Sequence, residues 1–279
     1  MLLIPDNNTF RQFVPNTMAP AMGETPLYSK IRSFLVSAEN WFCNNFIPRD
    51  ILKRIVQEAT DENDPLYFLP RRIVVLKAWA AAVPSIDVVV GPTGVGVTET
   101  SSLKPASKAK IDNLLSATNN ELDANIEALV NIIYRVPDWL NCNTAERFRT
   151  SLFPDFQILD VLGVDRERYK NWLVYTSRAA NIERRIARES ISIPVMSRLR
   201  SRLLARLATG VELEVAKLIQ YAVVEELRSG IEQKAPVEDA VNIIRQDKVN
   251  FPEWDHTDTA DRFKAPAFRN HKHSSGYFL

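Results

Sequence analysis

Histidine, cysteine and glycine are all scarce, and each scarcity removes a class of site. The 279 residues hold two cysteines, Cys43 and Cys142, too few for a disulfide framework. A reducing, intracellular setting is therefore expected. Neither cysteine has a histidine nearby in the sequence, so a thiol nucleophile has no support. The three histidines, His256, His271 and His273, crowd towards the carboxyl end without a cysteine or carboxylate at ligand spacing. No metal site is expected from them. Carboxylates such as Asp61, Glu62 and Asp64 sit in a polar stretch and read as solvation. No apolar run approaches the roughly 18 residues that span a bilayer. The opening "MLLIPDNNTF" lacks the basic start of a secretory signal. Net charge is only +1, so no global field draws the chain to nucleic acid or membrane. The expectation is a soluble, cytoplasmically made chain with no membrane contact, no cofactor and no enzymatic activity.

What is present is helical periodicity. Ile31, Phe34, Leu35, Ala38, Trp41 and Phe42 keep the three-and-four spacing of one buried face. Pro48 opens a second stripe, Ile51, Leu52, Ile55 and Val56. "YFLPRRIVVLKAWAAAV" at 67–83 is apolar nearly all round and reads as a buried helix starting near Pro70. The stretch 105–136 reads as a long helix or a helix pair, and similar patterns follow at 168–189, 194–207, 210–228 and 236–246. The first 27 residues have no period and read as an extended arm, though Leu2, Leu3, Ile4, Phe10, Phe13 and Val14 are unusually apolar for solvent.

Three of the eight glycines fall in one short stretch, "VVVGPTGVGVTETSSLKPAS" at 88–107. Gly91 and Gly96 have the separation of a phosphate loop, but Val97 and Thr98 stand where lysine and a hydroxyl are required. No alternation of strands and helices surrounds them, so a dinucleotide fold is excluded. Alternating Ile86, Val88 and Val90, then Val95 and Val97, on either side of "GPTG" read instead as a β-hairpin. Pro92 suits the first central turn position, and Gly94 and Gly96 allow positive φ or a bulge. Val90, Gly91, Pro92, Thr93, Gly94, Val95, Gly96 and Val97 are the candidate interaction residues, since an isolated hairpin is marginal in water.

The chain also repeats itself. "PDWLNCNTAERFRTSLF" at 137–153 and "PEWDHTDTADRFKAPAF" at 252–268 share seven of seventeen residues at a constant offset. Each reads as an extended piece followed by a short helix, capped by Asn143 or Thr144 and by Asp258 or Thr259. A weaker match pairs "FIPRDIL" at 46–52 with "SIPVMSRL" at 192–199. On this reading the glycine stretch is an insertion in one of two related units. The expected fold is mainly α: an internally duplicated helical bundle, one β-hairpin inserted near 85–104, and extended N- and C-terminal arms. The boundaries expected are an arm at 1–27, helical domains at 28–153 and 154–268, and a tail at 269–279.

Two further surfaces stand out. Between Asp165 and Arg206 eleven Lys or Arg face four acids. Arg184, Arg185, Arg188, Arg198, Arg200 and Arg202 would face DNA if this region met a polyanion. The plainer reading is a solvated face, or pairing with acids such as Glu225, Glu226 and Glu232. The last residues carry Phe268, Tyr277, Phe278 and Leu279, an apolar end of the kind that docks on a partner.

The segment "IDVVVGPTGVGVTETSSLKPASKAKIDNLL", followed by a helix and "PDW", resembles head–tail connector proteins of tailed phages and prophages of Bacteroidetes. The matching positions are Asp87–Val90, Pro92–Val97, Pro105–Ser107 and Lys108–Leu115, and the likeness extends over about residues 28–153. The resemblance implies a mostly helical subunit of a homo-oligomeric ring of about twelve copies, closed by symmetry. Such a ring sits in the virion neck, between the portal of the capsid and the tail, and double-stranded DNA passes through it. The second helical unit departs from the usual single-domain connector. The alternative is a DNA-binding, internal or tail-completion virion protein that uses the basic helices at 166–206.

Overall fold

A computed structural model describes residues 1–14, 26–59, 61, 63–86, 88–91, 94–97 and 107–264, the two strands by their backbone only. Helices dominate throughout. Two compact units emerge: Met1–Ala180 with Arg200–Leu207, and Asn181–Leu199 with Ala208–Leu279. The boundary expected at 153 lies inside the first unit. The reason is aromatic: Phe156 and Trp172 pack at 5.6 Å, and Phe148 and Trp172 at 5.3 Å, in one cluster.

The expected extended arm is corrected over its described residues. Asp6 caps a helix, α1 (Asn7–Phe13), accepting from the Thr9 amide at 2.8 Å, which also lowers the Asp6 carboxyl below its usual range. Leu3, Ile4, Phe10, Phe13 and Val14 are buried in their own unit, so their apolarity serves this core. Glu39, on α2 (Leu27–Asn45), is itself buried and accepts the Leu2 and Leu3 amides at 2.8 and 2.9 Å. Arg49, on α3 (Arg49–Glu58), supplies the opposite charge at 3.2 Å. The Tyr28 hydroxyl donates to the Pro5 carbonyl at 2.7 Å. Residues 15–25 lie outside the described residues.

The buried helix α4 (Pro65–Ile86) begins five residues earlier than Pro70 and carries both Pro70 and Pro84 within it. Asp64 accepts the Leu66 amide at 2.9 Å and so satisfies the first turn, where a proline at the opening position costs nothing. Ile86, expected in a strand, ends this helix. Strands β1 (Val88–Gly91) and β2 (Gly94–Val97) follow, and then α5 (Lys108–Val130), which packs along α4 with Leu122, Ile126, Leu129 and Val130 buried.

A 3₁₀ turn at Trp139–Asn141 drives Trp139 into the centre of the first unit. Its indole N–H donates to the Phe46 carbonyl at 2.6 Å, and Phe148 stands edge-on at 5.4 Å. Short helices α6 (Asn143–Glu146) and α7 (Gln157–Leu162) then lead to α8 (Arg168–Ile186). Gly163 ends α7 at φ 70°, a left-handed cap that a side chain would strain. The Asp123 carboxylate, on α5, accepts the Arg168 amide at 2.7 Å and caps α8 from outside the helix.

Helix α8 runs into a π-turn at Ala187–Ile191 before α9 (Ile193–Leu204). Between them Ser192 is buried at φ 89°, ψ 148°, a region open essentially to glycine alone. Ser192→Gly should therefore stabilise the protein by about 1 kcal/mol, strain relief of roughly 1–3 kcal/mol outweighing glycine's entropy cost. Ser192→Val should destabilise it, and calorimetric melting of the two variants distinguishes them. Thr209 caps α10 (Gly210–Ser229) in a reciprocal capping box with Glu212. Glu212 is fully buried and meets Arg198 at 3.2 Å. Helix α11 (Lys234–Gln246) packs against α10, and a 3₁₀ turn at Trp254–His256 leads to α12 (Asp258–Arg262).

Candidate functional site

The two strands are rich in β-branched valine, which suits a pleated backbone. Their register is antiparallel, Val88 with Val97, Val89 with Gly96, Val90 with Val95 and Gly91 with Gly94. The sheet has these two strands, β1 and β2, and no third among the described residues. Pro92, Thr93 and residues 98–106 lie outside the described residues. So do the tail candidates Phe268, Tyr277, Phe278 and Leu279.

The two repeated segments adopt the same local structure. In each, a tryptophan opens a 3₁₀ turn, one extended residue follows (Cys142, φ −88°; Thr257, φ −109°), and a short helix begins. In each the tryptophan is buried and packs on the phenylalanine nine positions later, at 5.4 Å for Phe148 and 6.0 Å for Phe263. The caps differ from expectation. Thr257 caps α12, its hydroxyl accepting from the Ala260 amide, and the equivalent Cys142 makes no side-chain cap. The cap falls one residue before Asn143 and Asp258 and two before Thr144 and Thr259, because the turn after the tryptophan is 3₁₀.

The basic residues separate into two groups. Arg185 meets Glu226 at 2.5 Å and Glu232 at 2.7 Å, and Arg198 meets Glu212 and Glu253. These carboxylates already neutralise both guanidinium groups. Arg202 donates to the Leu207 carbonyl, and Arg200 is half-buried. Arg184 and Arg188 are exposed; Arg184 touches Asn181 at 3.1 Å, and the Arg188 carbonyl accepts from Arg262. The structure thus brings Arg185 and Arg198 to acids, and it leaves Arg184 and Arg188 exposed.

Sequence reading missed a cleft of about 840 Å³ in the first unit. Its lining comes from four separate segments, with Trp41, Lys77, Asn119, Asp123, Arg166 and Tyr169 among them. The Lys77 ammonium lies over the Trp41 ring at 4.9 Å. Burial pushes both the Asp123 carboxyl and the Tyr169 phenol above their ordinary values, against the amides that hold Asp123 and the Arg147 charge beside Tyr169. The cleft mixes both signs of charge and brings no nucleophile beside a base. Burial also pushes the Cys43 thiol up to about 11, so it stays protonated at neutral pH. Among the described residues no group of three or more His, Cys, Asp or Glu could hold a metal ion, and no helix is long and apolar enough to cross a membrane.

No curated protein and no solved structure matches the chain. Residues 18–149, just under half of the chain, match the model of a family described as a family of unknown function (DUF6712), a stretch that runs through the first tryptophan turn and stops at Arg149.

Proposed function

We propose that the chain is a structural subunit of an oligomeric ring, a head–tail connector or adaptor, which joins the portal of a tailed phage capsid to the tail and leaves a channel for DNA. The observation that carries this reading is the two-stranded pair β1–β2 set between α4 and α5. Strands of four residues are too short to be stable as an isolated ribbon. Among the described residues neither strand has a second neighbour, and such edges suit pairing with a neighbouring subunit or the portal. The resemblance of residues 87–115 to connector proteins points the same way.

An internal duplication fits the order of elements. Helices α2, α3, α4 and α5, the Trp139 turn and α6 parallel α8, α9, α10 and α11, the Trp254 turn and α12. On this reading the strand pair is an insertion between the third and fourth helices of the first copy. In the second copy the same helices are joined by Gly230–Gln233. The family match spans the first copy and ends with it. The second reading, a DNA-binding virion protein, rests on the outward-facing Arg184 and Arg188, and the pairing of Arg185 and Arg198 weakens it.

Electron microscopy and mass measurement of the purified chain test the proposal. Closed rings, alone or with portal protein, are expected. Replacing residues 88–97 by a short Gly-Ser linker should keep the helical content and abolish the rings. Monomers at every concentration, with and without portal, would sink the reading, as would rings indifferent to the replacement.

A further inference from the structure

Helix α10 has two faces with different characters. Val215, Ala216, Ile219, Ala222 and Val223 are buried and face the core of their unit. On the opposite side Gly210, Glu214, Lys217 and Tyr221 follow one another at steps of four, three and four, the seam spacing of paired helices. Leu213 and Leu218 flank this seam, one on each side. These six residues line a shallow groove of about 440 Å³, and in it Leu213 is 39% and Tyr221 58% exposed. A lone exposed leucine is ordinary; a tyrosine and two leucines framing an opposite-charge pair are not.

The seam is complementary to itself. Gly210 and Tyr221, Leu213 and Leu218, and Glu214 and Lys217 are all centred on one point, between Val215 and Ala216. Two copies of α10 laid antiparallel about a two-fold axis at that point place Glu214 of each opposite Lys217 of the other. Each Tyr221 ring then meets the other copy's Gly210, where an added Cβ would meet nothing within 4 Å, so there is room for it. Leu213 of one copy stands level with Leu218 of the other, one on each flank, and the leucines exclude water from the ion pairs. Small opposite large and plus opposite minus, at one shared midpoint, is the signature of an isologous contact.

We infer that this face of α10 docks a second copy of the chain in an antiparallel two-fold dimer. The contact is distinct from the head-to-tail contacts that close a ring, and it does not depend on the ring reading. A single helix pair falls below the roughly 1,200 Å² of a standard interface, so the dimer is weak, with Kd on the order of 10 µM or above.

Sedimentation equilibrium of the full chain, up to about 1 mM, tests this directly. Glu214→Lys alone and Lys217→Glu alone each set like charges opposite one another twice, and each should weaken the dimer about tenfold or more. The double reversal Glu214→Lys/Lys217→Glu should restore it. Tyr221→Ala should weaken it while circular dichroism stays unchanged. A chain that is monomeric throughout the range overturns the inference. So does an association that ignores the single reversals, or a double reversal no better than either single one. Because the contact is separate from those that close a ring, any rings should persist in all three charge variants while the dimer weakens in the two single reversals.

Discussion

Trp139→Ala should destabilise the first unit by about 4–5 kcal/mol, enough to leave it largely unfolded at 37 °C, given total stabilities of roughly 5–15 kcal/mol. The indole is fully buried and packs on the hub of a cluster of rings, Phe148, which also contacts Phe46 and Trp172. Truncation opens a cavity that these rings cannot collapse into without leaving their own packing. It also strands the Phe46 carbonyl, which accepts the indole N–H at 2.6 Å. Trp139→Phe separates the two contributions, since it keeps most of the volume and loses the hydrogen bond; about 1–2 kcal/mol is expected. Urea unfolding followed by circular dichroism gives both numbers. A loss below 2 kcal/mol for the alanine variant would show that the tryptophan is not the anchor of this core.

Glu39→Ala should cost about 3 kcal/mol and should release the first residues from the unit. The carboxylate holds the Leu2 and Leu3 amides and pairs with Arg49. Hydrogen bonds to a charged acceptor contribute roughly 1.5–3 kcal/mol each, and one buried and one part-buried donor would lose theirs together. Arg49 is half exposed, so its charge can return to water and adds little to the loss. Glu39→Gln keeps one acceptor oxygen and should cost about half as much. Hydrogen exchange at residues 2–14 provides the discriminating readout. Fast exchange there with slow exchange retained in α4 is the expected pattern, and uniform protection in the alanine variant would refute the tether.

The sequence carried the helices because their apolar positions repeat every three or four residues, and burial then matched that spacing in α2, α5 and α10. It carried the likeness of the two tryptophan segments because the same residue types recur at one offset, but the extended piece expected at each tryptophan is a 3₁₀ turn. Helix α1 was not legible: seven residues hold only Phe10 and Phe13 as buried positions, too few for a period. Glu39 was not legible either, because a glutamate on a helix ordinarily faces water, and only the fold brings the Leu2 and Leu3 amides to it. The early start of α4 was hidden by Pro70, which the helix accommodates within its second turn. The sequence did offer Glu226 and Glu232 as partners for the basic stretch, and Arg185 meets both; which arginine they take was not legible, because it depends on two helices meeting across 41 residues of sequence. The cleft was invisible for the same reason, since its walls share no local pattern.

The bond from Trp139 to the Phe46 carbonyl also bears on how much the chain can change between them. It closes a loop of 93 residues, and everything from α3 to α5 lies within that loop, the strand pair included. Loop-closure entropy grows only with the logarithm of length, so the whole connection between Ile86 and Lys108 adds about 0.2 kcal/mol to the closure. A segment at this place can lengthen, shorten or exchange its sequence almost independently of the stability of the helices around it. Variation in folding rate should be equally slight, because the contact that must form is long-range whatever the length of this connection. The unit is thus a scaffold on which that one connection is free to drift.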